Sequence, residues 1–210
     1  MNAHSPARRQ ALTRRIRLLA VVTIAYNVLE AAIALTEGMR VSSTALIGFG
    51  LDSVVEVSAA AAVAWQFAKP DHEVREKAAL RVIALSFFAL AAYVTVESVR
   101  ALLGYGEPQP SIVGIALATV SLVLMPLLAW AEQRAGRELG SRSAVAYSKQ
   151  AGLCAYLSAV LLVGLLLNSL LGWSWADPIA GLVIAAVAVR EGREAWEGHS
   201  AAPRAKNPSG

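Results

Sequence analysis

Charged residues are scarce in this 210-residue chain, and they are unevenly distributed. They make up 16% of the sequence, whereas about a quarter is usual in soluble domains. The mean hydropathy is +0.52, so the composition indicates a membrane protein. The net charge of +4 does not indicate nucleic-acid binding, because Lys and Arg lie at the ends of apolar segments and form no basic face.

Several kinds of site have no counterpart in the sequence. The single cysteine, Cys154, excludes an intrachain disulfide. There is no Gly-rich phosphate loop, no Cys/His zinc-finger spacing, no HExxH motif and no pairing of a nucleophile with a base. We therefore predict that the chain is not an enzyme, carries no resident cofactor and binds no nucleic acid.

Long apolar segments are abundant, and six of them reach the roughly 20 residues that a membrane-spanning helix needs. The six segments are Ile16–Thr36, Ser43–Phe67, Ala78–Leu103, Ser111–Ala131, Ser143–Leu171 and Ala176–Ala195. We predict an all-α polytopic membrane protein, with a bundle of six transmembrane helices over residues 16–197. A basic segment, 1–15, precedes the bundle, and a polar, disordered tail, 198–210, follows it.

The basic residues also predict the orientation of the bundle. With six spans, all Lys and Arg except Arg40 and Arg100 fall on the side that holds both termini. Because cytoplasmic loops are enriched in Lys and Arg, we expect both termini in the cytoplasm. The chain is then a multi-pass protein in the lipid bilayer of the cell (plasma or inner) membrane.

Two acids lie in the middle of the second segment, whose core reads LIGFGLDSVVEVSAAAAV. Asp52 and Glu56 are four residues apart, so a helix places both carboxylates on one face. No Lys or Arg lies mid-span to neutralise them. Such carboxylates either take up protons or bind a cation. Glu30, in the first segment, is open to the same two interpretations.

The fifth segment offers weaker candidates on one face, because Gln150, Cys154 and Ser158 follow each other at i, i+4 spacing. A thiolate is a good ligand for soft metals, whereas Gln and Ser oxygens are weak ones. A lone buried cysteine also commonly behaves as a small hydrophobe. Asp177, just before Pro178, is expected to cap the sixth helix.

Three stretches together resemble the cation diffusion facilitator family: SSTALIGFGLDSVVEVSA, LSAVLLVGLLLN and WADPIAGLVIAAVAV. The resemblance covers nearly all of residues 16–195, and Tyr26, Asn27 and Glu30 are similar to a motif of a short, divergent branch. It implies six transmembrane helices, usually in a homodimer, that export divalent cations, often zinc, in exchange for protons.

The resemblance also implies a transport site between the second and fifth spans. Asp52 and Glu56 match the family's second-span pair, whereas Gln150 and Cys154 stand where the fifth span usually has His or Asp. We predict a metal site of Asp52, Glu56, Cys154, Gln150 and Glu30, with zinc the favoured metal and substrate. Two alternatives remain open: a metal-binding or regulatory membrane protein without transport, and a membrane scaffold whose acids serve helix packing.

Overall fold

The computed structural model describes residues 6–66, 72–139 and 142–200. These ranges form six α-helices and contain no strand, as the sequence predicts. The helices are α1 (Pro6–Val41), α2 (Thr44–Gln66), α3 (His72–Leu102), α4 (Ile112–Leu139), α5 (Arg142–Leu171) and α6 (Ala176–Ser200). The tail 198–210 is predicted to be disordered, and its residues 201–210 lie outside the described part of the chain.

The helices extend well beyond the apolar segments that predict them. α1 begins at Pro6, inside the basic segment, and continues to Val41, where Ser42 breaks it with a φ of 54°. The connections expected between the apolar segments, 37–42 and 132–142, are therefore shorter than predicted, because residues 37–41 belong to α1 and residues 132–139 belong to α4. Glu37 lies in α1 and Glu132 in α4, and both side chains are buried. Polar residues can prolong a helix whose apolar part is already fixed by packing, so hydropathy marks the span and not the helix.

Five helices within the described residues are long and apolar enough to cross a membrane. The exception is α6, whose apolar part ends at Arg190 after about 21 Å of helix. It packs extensively against α3. The chain is thus a helical membrane protein, whereas the prediction that α6 also spans the bilayer rests on the sequence.

Burial in the bundle is inverted relative to a soluble protein. Large apolar side chains such as Leu18, Val123 and Val163 are exposed on the outside. Acids and other polar residues are buried inside, including Asn27 and Glu30. Lipid solvates the apolar exterior, so a polar interior must be satisfied by the helices themselves or by what the protein binds.

The helices pack in three closely associated pairs: α1 with α2, α3 with α6, and α4 with α5. The main core, which includes Leu46, Phe49 and Met125, joins α1, α2, α4, α5 and α6. A smaller core around Phe87 and Val94 lies between α2, α3 and α6. Together these contacts hold α2 near the centre of the bundle, against four other helices, α1, α3, α5 and α6.

Glycine permits two of the closest helix contacts. A Cβ on Gly50 of α2 would lie 2.9 Å from the Cβ of Ala34 on α1. A Cβ on Gly164 of α5 would lie 2.8 Å from the Cβ of Ala180 on α6. Small residues let helix backbones approach closely in membranes, where dispersion replaces the hydrophobic effect as the main attraction between helices.

Candidate metal transport site

The acid pair of α2 lies inside the bundle, on the face that packs against α1. Asp52 is 5% exposed and Glu56 is 7% exposed. The amide of Asn27, on α1, donates a hydrogen bond of 2.6 Å from Nδ2 to Oε2 of Glu56. One oxygen of Glu56 is thus held by a neutral donor from α1, an interaction that a cation can compete with.

Asp52 differs from Glu56 in its surroundings. Within the described part of the chain, no side chain or backbone group donates a hydrogen bond to its carboxylate. Among the described residues, the charged groups near enough to influence it are two further acids, Glu30 and Glu191. A buried carboxylate with only anionic neighbours attracts either a proton or a metal ion.

Glu30 joins three helices through hydrogen bonds and is fully buried. Ser53 of α2 donates to its Oε2 at 2.7 Å, and Ser121 of α4 donates to its Oε1. The hydroxyl of Tyr26 shares a further hydrogen bond of 2.6 Å with Ser121. The Glu30 carboxylate is therefore already well supplied with donors, in contrast to Asp52.

Cys154 brings α5 to the same place. It is 1% exposed, and its Sγ lies 3.7 Å from Oε2 of Glu30, with which it makes a weak hydrogen bond. Asp52 and Glu56 are near enough to interact electrostatically with the thiol. The side chain of Gln150 lies outside the described residues, although its backbone belongs to α5. The structure thus groups Glu30, Asp52, Glu56 and Cys154 in the bundle interior.

These groups do not form a ready coordination sphere. Among the described residues, no set of three or more His, Cys, Asp or Glu side chains lies close enough together to hold one metal ion. The oxygens of Glu30 and Glu56 accept hydrogen bonds from the protein instead. Binding an ion here requires these side chains to exchange protein donors for the metal.

The hydroxyls around Glu30 are the part of this interior that sequence reasoning missed. Ser121 is one small polar residue within the apolar fourth segment, and nothing in its local pattern separates it from a serine that bonds only its own helix. It does bond the carbonyl of Leu117, at 3.0 Å. Its second partner, Glu30, lies 91 residues away in the chain and becomes visible only once α1 packs on α4.

Buried acids also stand at the opposite end of the bundle from the termini, where they bind helix N-termini. Ser43 caps α2 by accepting a bond of 3.1 Å from the Leu46 amide, and its hydroxyl donates to Asp177. Asp177 also accepts the Ala45 amide at 3.3 Å. The expectation that Asp177 caps its own helix is therefore wrong: it lies in the first turn of α6 and caps α2 instead.

Glu37 makes the equivalent contact with α4. Ser111 caps α4 by accepting a bond of 2.8 Å from the Gly114 amide, and its hydroxyl donates to Glu37 at 2.5 Å. Arg40 pairs with both oxygens of Glu37 at 2.7 Å. A second acid–arginine pair at i, i+3 spacing, Glu97 with Arg100, lies on the surface at 2.9 Å.

Comparison with protein families assigns the chain to one of them. The sequence of the chain matches no curated protein, but the family model for the cation efflux transmembrane domain matches residues 20–198. That range contains the buried acids of α1 and α2 as well as Cys154, and it confirms the resemblance noted in the sequence. The chain therefore belongs to the cation efflux family, whose members are transporters, and is a multi-pass membrane protein with a metal-cation efflux domain.

Proposed function

We propose that this protein exports a divalent metal ion, with zinc the preferred substrate, from the cytoplasm in exchange for protons. Membership of the cation efflux family supports export of a metal cation. The observation that carries the proposal is the buried pair of carboxylates, Asp52 and Glu56, which lie one helical turn apart in the bundle interior near Glu30 and Cys154. Two carboxylates neutralise a divalent charge and so lower the cost of holding it in a low dielectric.

Asp52 is the ligand that needs least rearrangement, because no described group must leave its oxygens before a metal binds. Glu56 joins when the Asn27 amide releases its Oε2. Cys154 supplies a thiolate, and Gln150 and Glu30 complete the set of ligands. Zinc accepts such mixed oxygen and sulfur donors at about 2.0–2.3 Å. Cys154 and Glu30 already touch, so closure requires α1 and α5 to approach α2 together.

Protons provide the counter-flow. A carboxylate or thiol must lose its proton to bind a metal, so uptake of the ion from one side releases protons and protonation from the other side releases the ion. The grouping of three buried acids and a thiol suits this exchange, because each of these groups can carry a proton when no metal is bound. The hydroxyl network on Glu30 satisfies its carboxylate whenever the metal is absent.

The proposed setting is the cell membrane, with both termini in the cytoplasm and the chain acting as a homodimer. The distribution of Lys and Arg supports that orientation, and family membership supports the homodimer as a hypothesis. Export then runs from the end of the bundle that holds the termini toward the end that holds the Ser43 and Ser111 caps.

The direct experiment is zinc flux into proteoliposomes under an imposed pH gradient. Wild-type protein is expected to accumulate zinc and to collapse the gradient in proportion, whereas Asp52→Asn combined with Glu56→Gln should give the leak of empty liposomes. Glu97→Gln, which removes an exposed acid paired with Arg100, is the matched control. Flux that survives the double substitution would rule out this site.

A second function, metal binding without transport, is compatible with the same geometry. The described residues contain no preformed set of three metal-ligating side chains, as expected of a transporter between states but equally of a chain that only senses or buffers ions. Zinc binding by calorimetry without flux under any gradient would select this alternative. Absence of binding with an intact oligomer would point to a scaffold.

A further inference from the structure

A sixth buried acid, Glu132 on α4, lies away from the site described above. It is 2% exposed and lies in the last turn of the apolar span Ile112–Ala135. Thr23 of α1 donates a hydrogen bond of 3.0 Å to its Oε1. Its Oε2 is buried and has no hydrogen-bond partner among the described residues. No basic side chain there forms an ion pair with it either.

A second buried acceptor without a hydrogen-bond partner lies on α1, on the same face of the helix as Thr23. Asn27 is 3% exposed, and its Oδ1 is buried without a hydrogen bond, while its Nδ2 donates to Glu56. Thr23 and Asn27 are four residues apart, so their Cβ atoms lie about 5–6 Å from each other on one side of the helix. Glu30 continues that side by one further turn.

These contacts form a polar column through the bundle. Thr23 bonds Glu132 on α4 and Asn27 bonds Glu56 on α2, while Glu30, about one turn beyond Asn27 on α1, bonds Ser53 on α2. α1 begins at the end of the bundle that holds the termini. Each step along α1 from Thr23 toward Glu30 therefore leads from that end toward the middle of the bundle. The column thus connects that end of the bundle with the central acids.

The two unpartnered oxygens need an explanation, because a buried acceptor without a partner has lost its hydration and gained nothing in return, and the cost is larger when the group is charged. Packing alone does not supply one, since a leucine or glutamine at 132 would avoid the charge. Both groups are acceptors, and what they lack is a donor or a cation. A carboxylate oxygen and an amide oxygen are also ordinary ligands for divalent ions.

We propose that Glu132, with the Thr23 hydroxyl and the Asn27 amide oxygen, forms a second divalent-cation site, at which ions pause on their way from the cytoplasm to Asp52 and Glu56. One carboxylate neutralises only half of a divalent charge. The site therefore binds weakly and passes the ion on to the acid pair, where two carboxylates compete for it. Its position in the transport path rests on the function proposed above, whereas its ability to bind an ion does not.

The first experiment measures zinc uptake from the cytoplasmic face in proteoliposomes. Glu132→Gln is nearly isosteric, and its side-chain oxygen still accepts the Thr23 bond, so a purely structural role predicts no change. We expect the KM for zinc to rise about tenfold, the lower end of what lost support costs a metal site, with kcat at saturating zinc retained. Glu138→Gln, which neutralises an acid of the same helix on the surface, should leave both unchanged. An unchanged KM in Glu132→Gln overturns the proposal.

The second experiment needs no transport. In the Asp52→Asn, Glu56→Gln background, Thr23→Cys adds a thiol of similar volume beside Glu132, and thiolates bind zinc strongly. Calorimetry on the purified protein should then detect one zinc ion per chain that neither the background alone nor the same protein with Glu132→Gln binds. If that ion is not bound, or if it remains after Glu132→Gln, the cation site is wrong. If it is bound while wild-type protein shows no flux, the proposed function fails and the site stands.

Discussion

Two groups of buried acids in this bundle have opposite surroundings. The cap acids, Glu37 and Asp177, each receive the hydroxyl of a serine that caps a neighbouring helix. The central acids, Glu30, Asp52 and Glu56, lie among neutral hydroxyl and amide donors or, for Asp52, among other acids. Burial is similar in both groups, since all five are less than a tenth exposed.

The difference follows from what a helix end offers. The first turn of a helix has backbone N–H groups without partners and the positive end of the helix dipole, so an acid placed there is stabilised where it stands. The middle of a helix offers neither, because its N–H groups are all bonded within the helix. The cap acids therefore hold α1 to α4 and α2 to α6. The central acids receive no backbone N–H group of a helix end, and Asp52 accepts no hydrogen bond from any described residue.

The largest expected effect is on transport, from Asp52→Asn. The substitution keeps the volume and removes no hydrogen bond that the structure describes, so the melting temperature in detergent should stay within about 2 °C of wild type, equivalent to well under 1 kcal/mol. Zinc flux should fall about 100-fold, at the upper end of what disturbing a metal site costs. Side-by-side melting and flux measurements check both. A large loss of stability would place Asp52 with the cap acids.

The next effect is on stability, from Asp177→Ala. It leaves the Ser43 hydroxyl and the Ala45 amide as buried donors without an acceptor, which should cost about 2–3 kcal/mol and lower the melting temperature by about 5–10 °C. Asp177→Asn retains one acceptor oxygen and should cost less. Flux per folded molecule should remain close to wild type. A melting temperature unchanged in Asp177→Ala would contradict the capping role.

The sequence predicts the central acids better than the cap acids, and the reason is physical. Asp52 and Glu56 stand out because an acid in an apolar segment is costly wherever the segment packs. Asp177 sits at a segment end, where a local cap is the ordinary interpretation, and its true partner, Ser43, lies 134 residues away. Hydropathy cannot report such a contact, because it depends on how α6 packs beside α2.

The same limit applies to the fold. Six helices and their order follow from the apolar segments, and the family comparison agrees. The apolar segments do not predict that Glu37 and Glu132 lie within helices and are buried. Their buried contacts are with Ser111, just before α4, and with Thr23 of α1, which are distant in the sequence. The partner of Cys154 could not be predicted either. The i, i+4 spacing of Gln150, Cys154 and Ser158 predicts that they share one face of α5, but it does not predict that this face packs against Glu30.

A smaller effect is expected from Glu30→Gln, which tests an acid that shares features of both groups. Gln keeps one acceptor oxygen, so one of the hydrogen bonds from Ser53 and Ser121 is lost, at about 1 kcal/mol. If Glu30 is a metal ligand as proposed, zinc flux should also fall about tenfold, as it does when a supporting group of a metal site is removed. Ser121→Ala is the control, because it removes the hydrogen bond from Ser121 to Glu30 and leaves the charge of Glu30 unchanged. Equal flux in both variants would assign Glu30 a packing role.

The smallest effect is expected from Glu97→Gln, which removes an acid outside both groups. Its pair with Arg100 lies at the surface, where both side chains are a third or more exposed. Exposed pairs at this spacing contribute about 0.3–0.5 kcal/mol, so the melting temperature should shift by no more than about 2 °C. Flux should match wild type. If neutralising this acid instead reduced zinc flux as much as Asp52→Asn, loss of negative charge anywhere on the protein would account for both results, and the special role of the central acids would be lost.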